Sequence, residues 1–136
     1  MAHRDTINEY LKKFGESVDV EFDPLDETGY TQIARGSAVV GINVFDDQNS
    51  FYLLAPIMPV PGVDKEKLYR QLLELNYRGT SEAAFAIDKS RDEICVRLTR
   101  GLDGLDYEEF VRALNIVSAV ADQWDDRLKE AYGAKA

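Results

Sequence analysis

The side chains that most often act as nucleophiles and bases are scarce in this chain. The only histidine is His3 and the only cysteine is Cys95. His3 precedes the first turn that the sequence predicts to be helical, where chain ends usually fray, so we expect it to be exposed. A nucleophile needs a base within hydrogen-bonding reach. Because the only histidine lies near the start of the chain, no pair of nucleophile and base can be assigned. We therefore predict no catalytic residue and a protein that is not an enzyme.

The usual ligands of metals and nucleotides are also missing from the sequence. It contains no glycine-rich phosphate loop, no close pair of histidines and no CxxC motif. Carboxylates are abundant, but neighbours such as Asp125 and Asp126 do not face each other on a helix. The acidic run from Glu16 to Glu27 lacks the glycine turn and the spacing to a terminal glutamate that a calcium loop has, and it is typical of a solvated surface. We predict no metal and no cofactor.

Length, composition and charge restrict the class of protein. At 136 residues, 45% of them hydrophobic, the chain has the size and apolar content of a single domain, residues 1–136. Acidic residues outnumber basic ones by 25 to 16, which gives a net charge of -9. Such a surface would repel phosphate groups, so we expect no nucleic acid as a partner.

The same sequence indicates where the protein acts. Met1 to Asp5 do not begin a signal peptide, and no stretch approaches the roughly 18 apolar residues of a membrane span, so we expect no direct membrane insertion. The single Cys95 excludes an internal disulfide, fits a reducing compartment and is expected to be a small buried residue. We predict a cytoplasmic protein.

The first predicted element is a short amphipathic helix. Thr6 and Glu9 have the spacing of a capping box, and Gly15 is expected to end the helix. One apolar face is formed by Ile7, Tyr10, Leu11 and Phe14. In the acidic run after this helix, an alternation of apolar residues predicts a loop with one edge strand. These residues are Val18, Val20 and Phe22.

Three strands in an antiparallel meander are predicted next, over residues 31–35, 38–45 and 50–56. Pro56 is expected to end the third strand, because proline cannot donate to a central ladder. Alternation places Tyr52 and Leu54 on one face of this strand and other apolar residues on the opposite face. One apolar face must therefore contact something besides the strand's own helix layer.

Two helices and a hairpin complete the predicted order. The first of these helices begins after a cap at Asp64 and ends between Asn76 and Gly79, and its apolar surface is broader than one sheet face requires. A hairpin pairs residues 83–88 with 93–99. Asp106 and Glu109 form a box-like cap for the longest helix, whose heptad spacing fits a coiled coil or, as we favour, packing across a sheet.

Val39 to Leu128 resembles the type III secretion chaperone-like superfamily, which covers the Tir-chaperone (CesT-type) and YbjN-type families. The resemblance lies in the strand and proline exit at 52–56, the helix end at 72–76, the hairpin at 84–98 and Gly104-Leu105-Asp106 before the last helix. It implies an α+β fold, an antiparallel sheet with helices packed on it in the order α-β-β-β-α-β-β-α. It also implies small acidic homodimers that bind a partly unfolded polypeptide.

The resemblance favours a non-catalytic chaperone that holds a client segment. The alternative is a regulatory or interaction protein of the YbjN type that binds a folded partner. The candidate client-binding residues are Tyr52, Leu54, Ile7 and Leu11. The candidate residues of a homodimer interface, with the intrachain core as their other possible place, are Leu68, Tyr69, Leu72 and Leu73.

Overall fold

The helices and strands follow one another along the chain in the predicted order. The computed structural model describes residues 3–133, so residues 1–2 and 134–136 of the expected single domain lie outside the described residues. The helices are α1 (His3–Val18), α2 (Lys65–Arg78) and α3 (Tyr107–Tyr132). The strands are β1 (Tyr30–Arg35), β2 (Ala38–Phe45), β3 (Ser50–Pro59), β4 (Ala84–Asp88) and β5 (Glu93–Gly101). The predicted fold class and element order are confirmed.

The strands form one antiparallel sheet in the order β1-β2-β3-β5-β4. The predicted meander is β1-β2-β3, and the predicted hairpin is β4-β5. Since α2 connects β3 to β4, the hairpin returns so that β5 pairs with β3 and β4 lies at the edge. The two edge strands of the sheet are therefore β1 and β4.

One face of the sheet carries the hydrophobic core. Helix α3 packs across β2, β3 and β5, while α1 contacts α3 and α2 contacts β4. Phe51 of β3 and Phe110 of α3 lie at the centre with ring centroids 5.8 Å apart, and both are fully buried. Burying a side chain of this size contributes roughly 1.5–3 kcal/mol. The favoured interpretation of α3 as a sheet-packed helix is thus confirmed.

Helix α1 differs from its predicted bounds at both ends. It begins at His3, so Thr6 and Glu9 lie inside the helix and do not form a capping box at its start. It also continues through Gly15 to Val18. The chain returns close to Gly15, where the Val20 amide donates to the Gly15 carbonyl over 2.9 Å. A Cβ at position 15 would collide with the carbonyl oxygen of Val20. The glycine allows this close return of the chain and does not end the helix.

The edge strand predicted within the acidic run is absent from the described residues, where the segment from Val20 to Asp26 has no regular structure. The segment is attached to α1 instead of to the sheet. The Phe22 ring stacks on Phe14 at 5.8 Å, and the Leu25 amide donates to Asn8 Oδ1 over 2.8 Å. These contacts with a helix outweigh the weak strand preference of a short alternation.

Two further predictions about helix and strand ends were wrong. β3 continues past Pro56 to Pro59, because its pairing with β5 goes on through a bulge between Pro56 and Met58 after its pairing with β2 has ended at Leu54. Asp64 precedes α2 in a left-handed conformation with φ of 58°, and its side chain makes no capping hydrogen bond. The capping box of Asp106 and Glu109 at the start of α3 is confirmed.

Candidate protein-binding surfaces

The sheet face opposite the core is the first candidate surface, and we call it the open sheet face. Tyr52 and Leu54 lie at its centre on β3, both half-buried. Tyr52 is paired with Asn43 and Thr99, and Leu54 with Gly41 and Arg97. Around these two residues the face includes Tyr30, Gln32, Ala34, Val39, Gly41, Asn43, Phe45, Arg97 and Thr99, and toward β4 it continues with Pro56, Cys95, Ala84 and Ala86.

Neighbouring side chains fix the ring of Tyr52. Phe45 makes an edge contact with it at a centroid distance of 5.1 Å, and the Arg97 guanidinium lies 5.2 Å from its centroid. Arg97 also donates to the Thr99 hydroxyl, which keeps the guanidinium in place. An exposed cation–π contact contributes about 0.5–1 kcal/mol. The ring is therefore preorganised, and part of it stays accessible.

A second aromatic ring lies over a glycine on the same face. A Cβ at Gly41 would come within 3.2 Å of the Tyr30 ring and hydroxyl, so the missing side chain leaves the space that this ring occupies. The Tyr30 hydroxyl donates to Gln32 Oε1 over 3.1 Å. Together with Leu54, which pairs with Gly41, the ring extends the apolar surface toward β1.

At each edge of the sheet, an Asp or an Asn forms hydrogen bonds with the outward backbone groups of one strand residue. At β1, the Asp26 amide donates to the Tyr30 carbonyl over 2.8 Å, and the Tyr30 amide donates to Asp26 Oδ1 over 3.0 Å. At β4, the Phe85 amide donates to Asn76 Oδ1 over 2.7 Å, and Asn76 Nδ2 donates to the Phe85 carbonyl over 3.2 Å. Both residues occupy positions that an added strand would take.

Part of the β1 edge is left open. In an antiparallel pair, alternate residues direct their backbone groups away from the partner strand. Since Tyr30 directs its groups outward to Asp26, the same holds for Gln32 and Ala34. Within the described residues, no backbone partner is found for the outward groups of these two residues. This short edge borders the open sheet face.

The second candidate surface is the outer face of α2. Of the four residues predicted for a dimer interface, Leu68 and Leu72 are buried in the core at 0% and 6% exposure, and Tyr69 is half-buried. Leu73 is 69% exposed. The burial of Leu68 and Leu72 against the sheet leaves them no exposed surface for a partner, which corrects that part of the expectation.

Sequence reasoning missed one residue of this surface. Tyr77 is 85% exposed and lies after Tyr69 and Leu73 at spacings of four, a helical repeat that could have revealed it. We call these three residues the outer α2 face. A shallow groove of about 690 Å³ is lined by Glu66, Tyr69, Arg70, Leu73, Glu74 and Tyr77.

The two candidate client-binding residues of α1 are placed differently from Tyr52 and Leu54. Ile7 and Leu11 are each 1% exposed and belong to the core. They have no surface on which a client could bind in this structure, because the apolar face of α1 packs toward α3 and is part of the core. A groove of about 720 Å³ lies beside α1, between the helix and the segment from Asp19 to Pro24.

Cys95 and His3, the single cysteine and the single histidine, are both at least partly removed from solvent. Cys95 is buried, its thiol lies 3.6 Å from the Ala86 carbonyl oxygen, and burial raises its pKa to about 11. His3 is half-buried in the first turn of α1, which corrects the expectation of an exposed, frayed residue, and its Nε2 lies 3.8 Å from Asp103 Oδ1. Between residues 3 and 133, no three His, Cys, Asp or Glu side chains gather as a metal site.

An antiparallel sheet with an open apolar face and an exposed apolar helix face is the architecture of a protein-binding module. Residues 9–125 match the Tir chaperone protein (CesT) family, and the chain belongs to this family of chaperones. The resemblance predicted from the sequence is thereby confirmed.

Several solved structures have a similar fold. A chain of the ExsC–ExsE complex has a TM-score of 0.75 and 19% identity, covering 93% of this chain and 96% of that one. A chain of the HopA1–SchA chaperone–effector complex has a TM-score of 0.68 and 12% identity, with coverages of 90% and 98%. YbjN from E. coli, a putative transcription regulator, has a TM-score of 0.64 and 16% identity, with coverages of 90% and 91%. At these identities the likeness shows the fold alone.

The comparison with curated proteins found no match for the chain. Among the helices described between residues 3 and 133, none has the length and apolar character that crossing a bilayer requires.

Proposed function

We propose that this protein is a non-catalytic, cytoplasmic chaperone that holds a partly unfolded segment of a client protein. The observation that carries the proposal is the open sheet face, where Tyr52 and Leu54 present accessible apolar surface in a member of a chaperone family. A contiguous apolar patch outside a core marks an interaction site, and Leu54 and the rings of Tyr52, Phe45 and Tyr30 share this face. The buried Cys95 supports a reducing compartment, since it has no internal cysteine to pair with.

The client segment binds in an extended conformation. Its backbone pairs with the outward groups of Gln32 and Ala34, and its alternate side chains lie on the open sheet face beside Tyr30. The continuing segment crosses the open sheet face to Leu54. Backbone hydrogen bonds of this kind give affinity without regard to sequence, and the side-chain contacts give specificity. An unfolded segment suits such a site better than a folded surface, because only a free backbone can add to an edge.

The protein acts as a homodimer through the outer α2 face. Leu73 and Tyr77 are too exposed to stabilise the monomer, and a two-fold interface would bury the same helix face of both subunits. The charges on this helix can pair across such an interface. Arg70 and Glu74 already lie 3.5 Å apart within one chain and flank Leu73.

The test compares two aspartate substitutions. Tagged Leu54→Asp and Val63→Asp proteins are used for affinity pull-down from the native lysate, followed by limited proteolysis and mass spectrometry of the bound material. Val63 is the matched control because it is exposed and lies in the loop before α2. We expect the wild type and Val63→Asp to protect one flexible client segment, and Leu54→Asp to lose it while staying folded. Unchanged capture by Leu54→Asp would contradict the open-face site.

A second function is favoured by the similarity to YbjN, whose fold the chain shares at 16% identity. In that case the partner is a folded regulatory protein, which binds without a protected unfolded segment. The same pull-down distinguishes the two functions. Recovery of an intact folded partner that resists proteolysis when alone would favour the regulatory function.

A further inference from the structure

The groove beside α1 is preformed. Its two walls are α1 and the segment that returns along the helix, and a hydrogen bond joins them at each end. The Val20 amide donates to the Gly15 carbonyl over 2.9 Å, and the Leu25 amide donates to Asn8 Oδ1 over 2.8 Å. The stacked rings of Phe14 and Phe22 hold the segment in between. These contacts join both walls of the groove, which has a volume of about 720 Å³.

The groove combines apolar surface with unneutralised negative charge. Val20 is 51% exposed, and Phe22 and Pro24 line the groove beside it. Three exposed carboxylates, Glu16, Asp19 and Glu21, also line it, against one basic residue, Lys12. Over residues 3–133, none of the three carboxylates has an ion-pair partner within 4.0 Å.

We propose that this groove binds a cationic segment of the client, in which a large apolar side chain is flanked by lysine or arginine. The apolar side chain contacts Val20 and Phe22, and the flanking cations pair with Glu16, Asp19 and Glu21. The inference rests on the proposed function, since it names the chemistry of a client segment. It adds a preference for positive charge, which the open sheet face, where the Arg97 guanidinium lies beside Tyr52, does not supply.

The expected strength of this preference depends on the exposure of the carboxylates. Solvent-exposed ion pairs are weak, so each should change the dissociation constant by roughly two- to five-fold at low salt. Three pairs together give about ten-fold or more. The preference must weaken as salt rises, because the Debye length falls from about 30 Å at 0.01 M to about 8 Å at 0.15 M ionic strength.

The test uses two synthetic peptides of equal length with identical apolar residues, one carrying lysine and the other glutamate at the remaining positions. Each is titrated into the ¹⁵N-labelled protein and followed by NMR. We expect the lysine peptide to shift the amides of Glu16, Val20 and Phe22, with an affinity that falls as salt rises. The glutamate peptide should leave these amides unchanged.

A triple variant tests the role of the carboxylates. Glu16→Gln, Asp19→Asn and Glu21→Gln together should weaken the lysine peptide by about ten-fold or more. Asparagine suits position 19, whose φ of 58° lies in the left-handed region. The matched control makes the same charge change at three other exposed carboxylates and should bind as the wild type does. Its substitutions are Glu66→Gln, Asp126→Asn and Glu130→Gln.

The outcomes separate this inference from the proposed function. Binding of the lysine peptide elsewhere, equal binding of both peptides, or equal losses in the two triple variants would overturn the groove's assignment. Client capture that depends on Leu54 would survive that result. Conversely, lysine-peptide binding in the groove without any Leu54-dependent client capture would support the groove and reject the proposed function.

Discussion

Asn76 at the end of α2 forms two hydrogen bonds with the backbone of Phe85 in the edge strand β4. Its Oδ1 accepts from the Phe85 amide over 2.7 Å, and its Nδ2 donates to the Phe85 carbonyl over 3.2 Å. The side-chain amide thus takes the place of a neighbouring strand and joins α2 to the sheet. No charged or aliphatic side chain can supply both the donor and the acceptor.

Replacing Asn76 with alanine should lower the free energy of unfolding by about 1–3 kcal/mol, because two backbone groups of a buried residue lose their partners. Urea denaturation followed by circular dichroism measures the change. Arg78→Ala, an exposed position in the same helix end, is the control and should change stability by less than about 0.5 kcal/mol. Equal losses in the two variants would show that the Asn76 bonds add nothing specific.

Glutamate substitutions at two adjacent leucines of α2 should have different effects on folding and on the oligomeric state. Leu72 is 6% exposed, and burying an unpaired charge there costs several kcal/mol, so Leu72→Glu should unfold much of the protein. Leu73 is 69% exposed, so Leu73→Glu should remain folded and become monomeric. Circular dichroism reports folding, and light scattering reports the oligomeric state. A dimeric Leu73→Glu protein would exclude the outer α2 face as the interface.

Asp26 should contribute a pH-dependent part of the stability. A hydrogen bond from the Thr28 hydroxyl, and next one from the Tyr30 amide, lower the pKa of Asp26 below its ordinary value. Because the folded-state pKa is the lower one, the contribution is present above the ordinary carboxyl pKa and is lost as pH falls through the lowered value. Stability measured by urea denaturation in steps of pH should decline more steeply at acidic pH in wild type than in Asp26→Asn.

Identical acid profiles of the two proteins would mean that the contacts of Asp26 do not stabilise the fold. Thr28→Val gives a second measurement, because it removes the hydroxyl that lowers the pKa most. Its acid profile should lie between those of the wild type and Asp26→Asn.

Cys95 should be almost inert to thiol reagents in the native protein. It is 2% exposed, and burial raises its pKa to about 11, so the reactive thiolate is scarce at neutral pH. The rate of reaction with Ellman's reagent should be far lower in buffer than in denaturing urea. A fast native reaction would show that the sheet opens readily around β5.

Sequence patterns predicted the strands well, because alternation along a half-buried strand is a local property. Alternation predicts one face for Tyr52 and Leu54 and the opposite face for Phe51 and Leu53, and the structure places them so. The bounds of α1 were predicted poorly. Its contacts with Leu25 and Phe22, residues beyond its end, stabilise turns that local capping signals did not indicate.

Each predicted set of binding residues contains some residues that are accessible and others that are buried. Helical spacing showed that α2 has a broad apolar surface, but it could not tell which part faces the sheet, since that depends on the rotation of the helix on β4. Leu68 and Leu72 therefore proved to be core residues, while Leu73 and the unpredicted Tyr77 are exposed. The apolar face of α1 packs into the core, so Ile7 and Leu11 are buried there and are not available to a client.

The sequence by itself determined the order of elements and the two faces of each strand, because composition and local periodicity carry this information. The tertiary structure alone decided how the sheet edges are closed and which apolar surface remains exposed. Asp26 and Asn76 reach the backbones of Tyr30 and Phe85 only after the loops and α2 have packed. Hydrogen bonds and burial between separate elements depend on packing geometry, which no local pattern encodes.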